Sequence, residues 1–214
     1  MPPSLCKLLI IIADPIEARS LIPALGFRQI SQFLYSCYDP VLQVTIDLLI
    51  LYEWGGRSLI EKLGHLQDPY DYDLWINLGF AGACSDKIPL NCCYSIFSVT
   101  RLSNEPGHLT CDPPLPIPSV PSLPQAKLSS SETPYRYGLH DSLELVDMEG
   151  YIVATVCRHH NQRCVMIKVT SDYTTPNGVS YLKENMEKLA HTLTEAFVAS
   201  LPEIICLAIN DVSV

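Results

Sequence analysis

The stretch LVDMEG, residues 145–150, is followed about twenty residues later by VTSD, residues 169–172. Apolar spacing over residues 144–159 predicts a helix that an acidic residue opens, and Asp172 closes an apolar run that predicts a buried strand. Ligand-binding groups of open α/β sheets gather at the carboxyl ends of their strands. The two stretches therefore predict an α/β fold in which two carboxylates lie close together.

The rest of the chain alternates in the same way. Further strands are predicted at residues 8–13, 74–78, 92–102 and 164–169, with two or three more within 29–52. Helices are predicted after Pro15 and at residues 57–66 and 178–201. The class is therefore α/β with a mainly parallel or mixed sheet. Because 214 residues suit one sizeable domain and are few for two, we expect a single domain over residues 1–214.

Residues 103–134 interrupt this alternation. Eight of the 17 prolines lie here, at positions 106, 113, 114, 116, 118, 121, 124 and 134. Because proline lacks a backbone N–H, this density disfavours both a helix and a central strand. We predict a long extended loop inside the domain, since strand and helix patterns resume on both sides. Loops of this length are usually functional or disordered.

The charge of the chain bears on its partners. The formal net charge is −9, and no basic run or aromatic-interleaved Lys/Arg stripe offsets it. This balance argues against nucleic acid or an anionic membrane as the main partner. The apolar run at residues 8–13 is too short to span a bilayer or to form a signal segment. We expect a soluble, cytoplasmic protein without a membrane partner.

The cysteines indicate a reducing compartment. There are nine, an odd number, scattered from Cys6 to Cys206 without the spacing of a disulfide framework. Cys157, His160 and Cys164 have spacings that zinc could use, but no fourth ligand is visible. We therefore expect free thiols and no metal site.

Asp172, with Ser171 before it, follows the predicted strand at residues 164–169. A carboxylate at a strand end, partly shielded from water, should have a raised pKa and can keep a proton near neutrality. A general acid that protonates a leaving group needs this property. The alternative is a solvated loop aspartate that caps the following turn.

Glu149 and Glu17 are two further candidate carboxylates. Glu149, beside Met148, lies in the first turn of a predicted helix, where an anion is stabilised and can accept hydrogen bonds from two neighbouring hydroxyls. Glu17 follows the first predicted strand, where it could activate a water molecule. For Glu149 the alternative is ordinary acidic enrichment in a first helical turn, and for Glu17 it is a surface residue of the helix; taken alone, each residue favours its alternative.

Taken together, these stretches resemble the sequence motifs of one known protein family. The pair DMEG (147–150) and KVTSD (168–172) is similar to the paired signature of the nucleoside phosphorylase superfamily. It is most similar to the hydrolytic branch, the methylthioadenosine/S-adenosylhomocysteine nucleosidases and the related futalosine hydrolases. INLGFAG (76–82) resembles that family's strand-and-glycine motif, and GGR (55–57) stands where the family has a glycine-rich helix entry. The resemblance covers about residues 7–200 and is weak over 103–134.

The resemblance implies a role for each matching residue. Glu17 matches the water-activating base, and Asp172 matches the acid that protonates the purine N7. Glu149 matches the residue that binds the ribose hydroxyls. The other implied substrate-binding residues are Met148 beside the sugar, Phe80 and Ala81 near the ribose and base, Ser171 supporting the acid, and Tyr135 stacking on the base.

Position 17 separates hydrolysis from phosphorolysis. Phosphorolytic relatives carry an arginine here that holds phosphate, whereas this chain reads ADPIE at residues 13–17. A carboxylate repels the phosphate dianion but can deprotonate water, so hydrolysis is favoured. Phosphorolysis remains the alternative, with Arg57 as the cation.

The resemblance also implies an architecture and a substrate. It implies a three-layer α/β/α fold around a twisted mixed sheet, a homodimer in which residues 103–134 close the partner's pocket, and no cofactor. Asp172 favours adenine as the leaving base, because 6-oxopurine-specific relatives often have asparagine there. The 5′ substituent is left open between methylthio, homocysteinyl and a bulkier aromatic chain. A non-catalytic nucleoside-binding or interaction protein on the same fold is the rival function.

Overall fold

The structure is a computed structural model that describes residues 6–105 and 108–210. Within them the strands are β1 (Cys6–Ile12), β2 (Arg28–Gln29), β3 (Leu34–Asp39), β4 (Val44–Ile50), β5 (Leu74–Ala83), β6 (Cys93–Glu105), β7 (His108–Cys111), β8 (Leu115–Pro116), β9 (Gln125–Ser131), β10 (Leu145–Asp147) and β11 (Cys164–Tyr173). The helices in the same residues are α1 (Pro15–Ala18), α2 (Leu21–Leu25), α3 (Leu59–Leu63), α4 (Gly150–His159) and α5 (Gly178–Ile209).

All described strands belong to one mixed sheet. Its order is β10-β9-β6-β11-β5-β1-β4-β3-β2, with β7 and β8 paired to β6. β1 runs parallel to β4 and β5, and β11 runs parallel to β5. Because β1, β5 and β11 point the same way, their carboxyl ends meet at one edge of the sheet, the edge that carries ligand sites in α/β proteins.

Helices cover both faces of the sheet. Alternate residues of β1 point to opposite faces, as strand geometry requires. Leu8 and Ile10 pack in a cluster with α5 residues such as Phe197, whereas Leu9 and Ile11 pack in a second cluster with residues of α3 and α4. This arrangement confirms the predicted three-layer α/β/α fold with a mixed central sheet.

The C-terminal helix α5 is longer than the predicted helix at residues 178–201. By length and composition alone it could cross a membrane, but 44% of its most apolar window is buried inside the fold. Leu189, Leu193, Phe197 and Leu201 place one side of it against the sheet. Packing within the chain therefore accounts for much of its apolar character.

The proline-rich segment is not the long loop expected from the sequence. Residues 106 and 107 lie outside the described residues, but β7, β8 and β9 all fall within 103–134. β9 lies inside the sheet, between β6 and β10. The prediction of no central strand was wrong because residues 125–131 contain no proline, although the segment as a whole is rich in it.

The helix predicted over residues 144–159 begins later than expected. Residues 145–147 form β10, which pairs with β9 and with β5 and is buried. Glu149 is consequently the N-cap of α4 rather than part of its first turn. Sheet pairing satisfies the backbone groups that the helix would otherwise have used.

Candidate active site

Glu17 is held at the end of β1 by the start of α1. Asp14 caps this helix by accepting a hydrogen bond from Ile16 N at 2.9 Å, and Glu17 Oε2 in turn accepts from Asp14 N at 3.2 Å. Glu17 Oε1 accepts from the backbone N–H of Phe80, on β5, at 2.7 Å. This reciprocal capping box fixes a buried carboxylate against the neighbouring strand.

The Glu17 carboxyl is poised to exchange a proton near neutrality. Burial raises its pKa to about 7, against the opposing effects of Lys168 and of the N–H groups of Phe80 and Asp14. Both protonation states are therefore accessible near neutral pH. A general base works best when its pKa lies near the working pH.

Lys168 and Asp147 form a buried ion pair beside Glu17. Lys168 is 1% exposed, and its Nζ lies 2.8 Å from Asp147 Oδ2. A Cβ placed on Gly79 would lie 3.0 Å from Glu17 Oε1 and 3.4 Å from Lys168 Nζ, so both side chains flank the same position of β5. Burial alone would lower the pKa of Lys168, but Asp147, Glu149 and Glu17 outweigh it and raise that pKa.

Asp147 is fixed from several sides. Its Oδ1 accepts a hydrogen bond from Ser130 Oγ, on β9, at 2.5 Å, and its Oδ2 accepts from Gly150 N at 3.0 Å. The ion pair with Lys168 thus links β11, β10, β9 and the start of α4. A buried charge pair requires such additional donors to offset its desolvation.

Glu149 faces this cluster from the start of α4. It is buried, and its Oε1 accepts a hydrogen bond from Gly55 N at 2.6 Å. Gly55 and Gly56 have φ values of 89° and 62°, a conformation that disfavours other residues. The two glycines of the predicted helix entry therefore let a backbone N–H reach this carboxylate.

The Glu149 carboxyl also tends to hold a proton. Burial, followed by Asp147 and Glu17, raises its pKa to about 8, against the effects of Lys168 and Gly55 N–H. Three buried carboxyls share one lysine here, so ionising all of them at once is unfavourable. The cluster can therefore store and release protons near neutral pH.

Asp172 lies at the far end of β11, where it meets α5. It is 2% exposed, and its Oδ1 accepts a hydrogen bond from Ser171 Oγ at 2.6 Å. Its Oδ2 lies 3.0 Å from Arg136 Nη1. Burial raises the pKa of Asp172, and the hydrogen bond from Ser171 and the charge of Arg136 oppose that rise.

One cleft brings all eight predicted site residues together. Its volume is about 790 Å³, counting the part open to solvent. The predicted residues among its walls are Glu17, Phe80, Ala81, Tyr135, Met148, Glu149, Ser171 and Asp172. Tyr135 is buried and meets Tyr137 edge to face, with ring centroids 5.3 Å apart. The structure thus places these residues in one cleft, and their chemical roles stay predictions.

The sequence reasoning missed four residues of this region. Trp54, Arg136 and Asp147 also line the cleft, and Lys168 lies behind its wall. A charged residue inside the apolar run CVMIKVT, residues 164–170, is a signal that could have identified Lys168. Nothing comparable in the sequence marks Arg136, which lies in a loop.

The rival cation for phosphate, Arg57, is exposed and does not line the cleft. Among the described residues, no group of three or more His, Cys, Asp or Glu side chains converges as metal ligands would. Cys157 and Cys164, considered above as zinc ligands, are buried thiols packed in the core between α4 and β11.

Comparison with known proteins places this site in a family. The model of the phosphorylase superfamily matches residues 127–202. A Chlamydia trachomatis MTAN bound to MTA is 39% identical, with a TM-score of 0.81, over 92% of this chain and 98% of that one. A Chlamydia trachomatis MTAN bound to adenine is also 39% identical, with a TM-score of 0.79, over 91% and 97% of the two chains. No protein with a curated description matches the chain.

More distant structures share the fold. A futalosine hydrolase mutant of Helicobacter pylori is 14% identical, with a TM-score of 0.76, over 93% of this chain and 100% of that one. The fold and the acid-lined cleft thus define a protein of the nucleoside phosphorylase class. The chain belongs to the phosphorylase superfamily and, within it, to the family of 5′-methylthioadenosine/S-adenosylhomocysteine nucleosidases (MTAN), as its motifs predicted.

Proposed function

We propose that the protein is a nucleoside N-ribosyl hydrolase that releases adenine from a 5′-substituted adenosine-type nucleoside. The observation that carries this proposal is the convergence of Glu17, Glu149 and Asp172, three buried carboxyls from distant parts of the chain, in one cleft. Chlamydial MTAN structures bound to MTA and to adenine support a purine nucleoside as the ligand.

In this mechanism Asp172 protonates N7 of the leaving adenine. Protonation makes the base a better leaving group while the sugar passes through an oxocarbenium-like state. Glu17 accepts a proton from the attacking water, as the base does in inverting glycosidases. Each proton transfer contributes on the order of 10²- to 10⁴-fold to the rate. The proton that leaves Asp172 with the base is balanced by the proton that Glu17 gains from water.

Glu149 accepts hydrogen bonds from the ribose hydroxyls in the proposed complex. Its Oε1 already accepts from Gly55 N, so the carboxylate is oriented before substrate arrives. Lys168 counters the charge of the neighbouring carboxyls and keeps Glu17 from holding its proton too tightly. Phe80, Ala81 and Met148 provide the apolar wall against the sugar.

Hydrolysis is favoured over phosphorolysis by the charges around the cleft. Glu17 lies where phosphorolytic relatives need a cation, and Arg57 lies outside the cleft wall. A phosphate dianion would therefore enter beside a carboxylate. Water meets no such repulsion.

Adenine release from methylthioadenosine, S-adenosylhomocysteine and aminodeoxyfutalosine tests the proposal. We expect turnover of at least one, independent of phosphate, and loss of turnover in Asp172→Asn and Glu17→Gln. The exposed residues Asp141 and Glu61 supply matched controls, Asp141→Asn and Glu61→Gln, which should keep full activity. Phosphate-dependent release of ribose 1-phosphate would indicate the phosphorolytic alternative. Stable binding without cleavage would indicate a non-catalytic binding protein.

A further inference from the structure

Arg136 forms an ion pair with Asp172, the residue that acts as the acid in the proposed mechanism. Arg136 lies between β9 and β10, and its Nη1 is 3.0 Å from Asp172 Oδ2. The arginine side chain is 32% exposed, whereas the aspartate side chain is 2% exposed. Both residues line the cleft, so a base that binds Asp172 there must compete with the guanidinium for the carboxyl.

Both oxygens of Asp172 are engaged in this structure. Oδ1 accepts from Ser171 Oγ at 2.6 Å, and Oδ2 accepts from Arg136. On the third side, a Cβ at Gly178 would lie only 2.3 Å from Oδ2, so the start of α5 closes against the carboxyl. A guanidinium is a donor only, and it favours the ionised carboxylate over the protonated one.

This arrangement conflicts with the chemistry required of Asp172. A general acid must carry a proton and present it to N7 of the base. An oxygen that accepts from Arg136 neither carries that proton nor offers the base a place to bind. The structure therefore shows Asp172 in a state that cannot yet act.

We propose that Arg136 is a displaceable cap on Asp172, and that entry of the purine moves the guanidinium aside so that Asp172 takes up a proton from solvent only with substrate in place. The inference rests on the proposed function and adds to it a coupling between base binding and proton uptake. Arg136 is in this view a positioning residue that acts through Asp172.

The protons balance over one turnover. Purine binding brings one proton from solvent to Asp172, which becomes neutral. Cleavage of the N-glycosidic bond moves that proton to N7, while Glu17 takes one from water. Release of the base and sugar lets Glu17 return its proton to solvent and Arg136 return to the Asp172 carboxylate.

The groups around Asp172 agree with this cycle. Arg136 is the charged residue that the structure places against it, the Cys84 thiol faces it from the end of β5, and α5 contributes backbone at Gly178. Burial raises the pKa of Asp172, and Ser171 and Arg136 oppose the rise. Removing Arg136 leaves burial less opposed, so the pKa of the carboxyl should rise and adenine binding should then bring in fewer protons from solvent.

Calorimetry of adenine binding in buffers of different ionisation enthalpy measures the proton uptake. We expect net uptake by the wild-type protein at about pH 7.5 and clearly less uptake by Arg136→Met. Arg136→Lys keeps the charge and should stay closer to wild type. In an Asp172→Asn background, Arg136→Met should no longer change the uptake, because the group that accepts the proton is absent.

The pH profile of kcat/KM provides a second readout that a purely structural role would not move. Its two limbs report the essential acid and base of the free enzyme. An aspartate beside an arginine has its pKa lowered by roughly 1 to 3 units, so the limb that Asp172 sets should move to higher pH by on the order of one unit in Arg136→Met. The limb that Glu17 sets should stay where it is.

The outcomes separate this inference from the proposed function. If the wild-type protein cleaves a nucleoside but Arg136→Met shows the same proton uptake and the same pH profile, the cap is disproved and the hydrolase stands. If the wild-type protein neither cleaves the three nucleosides nor binds adenine, the proposed function fails and the cap fails with it. Unchanged thermal unfolding of Arg136→Met and Arg136→Lys verifies that both variants fold.

Discussion

At the scale of single residues, the buried carboxyls carry the information about function. Glu17 combines a capping box, a hydrogen bond from β5 and a nearby lysine, and its pKa of about 7 follows from burial that these contacts only partly offset. The resemblance in the sequence identified Glu17 as a candidate base. Its environment was not predictable, because Lys168 and the Phe80 N–H come from distant segments.

Replacing Glu17 should change how stability depends on pH. The pKa of Glu17 is raised from 4.5 to about 7 on folding, so the stability from its proton is full below about pH 4.5 and is lost as the pH rises through about 7. Glu17→Gln removes this loss. The free energy of unfolding of the variant minus that of wild type should therefore increase by up to about 3 kcal/mol from low to high pH.

Urea unfolding at about pH 5 and about pH 8.5 measures this difference. Glu149 titrates in both proteins. The difference between the two proteins therefore reports the ionisation of Glu17, together with the electrostatic coupling between Glu17 and Glu149. Glu61→Gln, at an exposed position, is the matched control and should show no such pH-dependent gain. A Glu17→Gln variant that runs parallel to wild type at every pH would show that Glu17 ionises freely in the folded protein.

Lys168→Met should destabilise the fold strongly. It leaves Asp147, and beside it Glu149, buried without a cation. Breaking a buried pair in this way typically costs about 3 to 5 kcal/mol. Lys7→Met breaks a pair of similar length with Asp71 at the surface, 49% and 67% exposed, and should cost less than about 1 kcal/mol. Equal losses in urea unfolding would show that Lys168 contributes no more than a surface charge.

At the scale of elements, the sequence predicted the framework better than the boundaries. The strands β1, β5 and β11 and the helix α5 were predicted from apolar runs and helical spacing, because each is long or fully buried. β10 and the start of α4 were not, since a three-residue strand depends on its neighbours β5 and β9. β9 was missed for a different reason: residues 103–134 are rich in proline as a whole, and this composition hid a strand segment that contains none.

The contact between α5 and β11 should be intolerant of even a methyl group. A Cβ at Gly178 would lie 2.2 Å from Tyr173 O and 2.3 Å from Asp172 Oδ2. In Gly178→Ala we expect a lower melting temperature, although alanine is the better helix former by about 1 kcal/mol. We also expect kcat/KM to fall by roughly 10- to 100-fold, because the acid moves.

Val179→Ala is the matched control for this change. Val179 is the next residue of α5 and is 37% exposed, so its truncation should leave activity intact. Both variants can be assayed by thermal unfolding and by adenine release. Full activity in Gly178→Ala would mean that α5 shifts to accommodate the methyl group without displacing Asp172.

At the scale of the whole molecule, the cleft is assembled at one edge of the sheet from residues as far apart in sequence as Ala13 and Met186. Seven of the eight residues expected there could be placed by motif order and spacing in the sequence, whereas Tyr135 was chosen only as an aromatic residue that precedes Met148 and Glu149. Arg136 and Trp54 could not be assigned, since their importance comes from long-range contacts. Whether two copies of the chain associate, as the resemblance implies, stays a prediction.

Adenine should protect these distant segments together. Ligand that binds only the folded protein stabilises it by about 2.7 kcal/mol at a hundredfold excess over Kd. We expect hydrogen exchange to slow in the segments around Glu17, Phe80, Glu149 and Asp172 when adenine is added, and thermal unfolding to shift upward. Asp172→Asn should weaken both effects. Protection confined to one segment would contradict a shared cleft.

The irregularity in β11 has an evolutionary consequence. Thr170 pairs with Ala81 and Asp172 pairs with Gly82, so Ser171 is an extra residue in the strand. Before this insertion Lys168 points toward α4, and after it Asp172 points toward α5. In the proposed mechanism one strand thereby serves both ends of the cleft, with Lys168 beside the sugar-binding Glu149 and Asp172 against the base. Under the proposed mechanism, mutation at one end of the cleft can change the choice of nucleobase while recognition of the pentose at the other end is inherited unchanged.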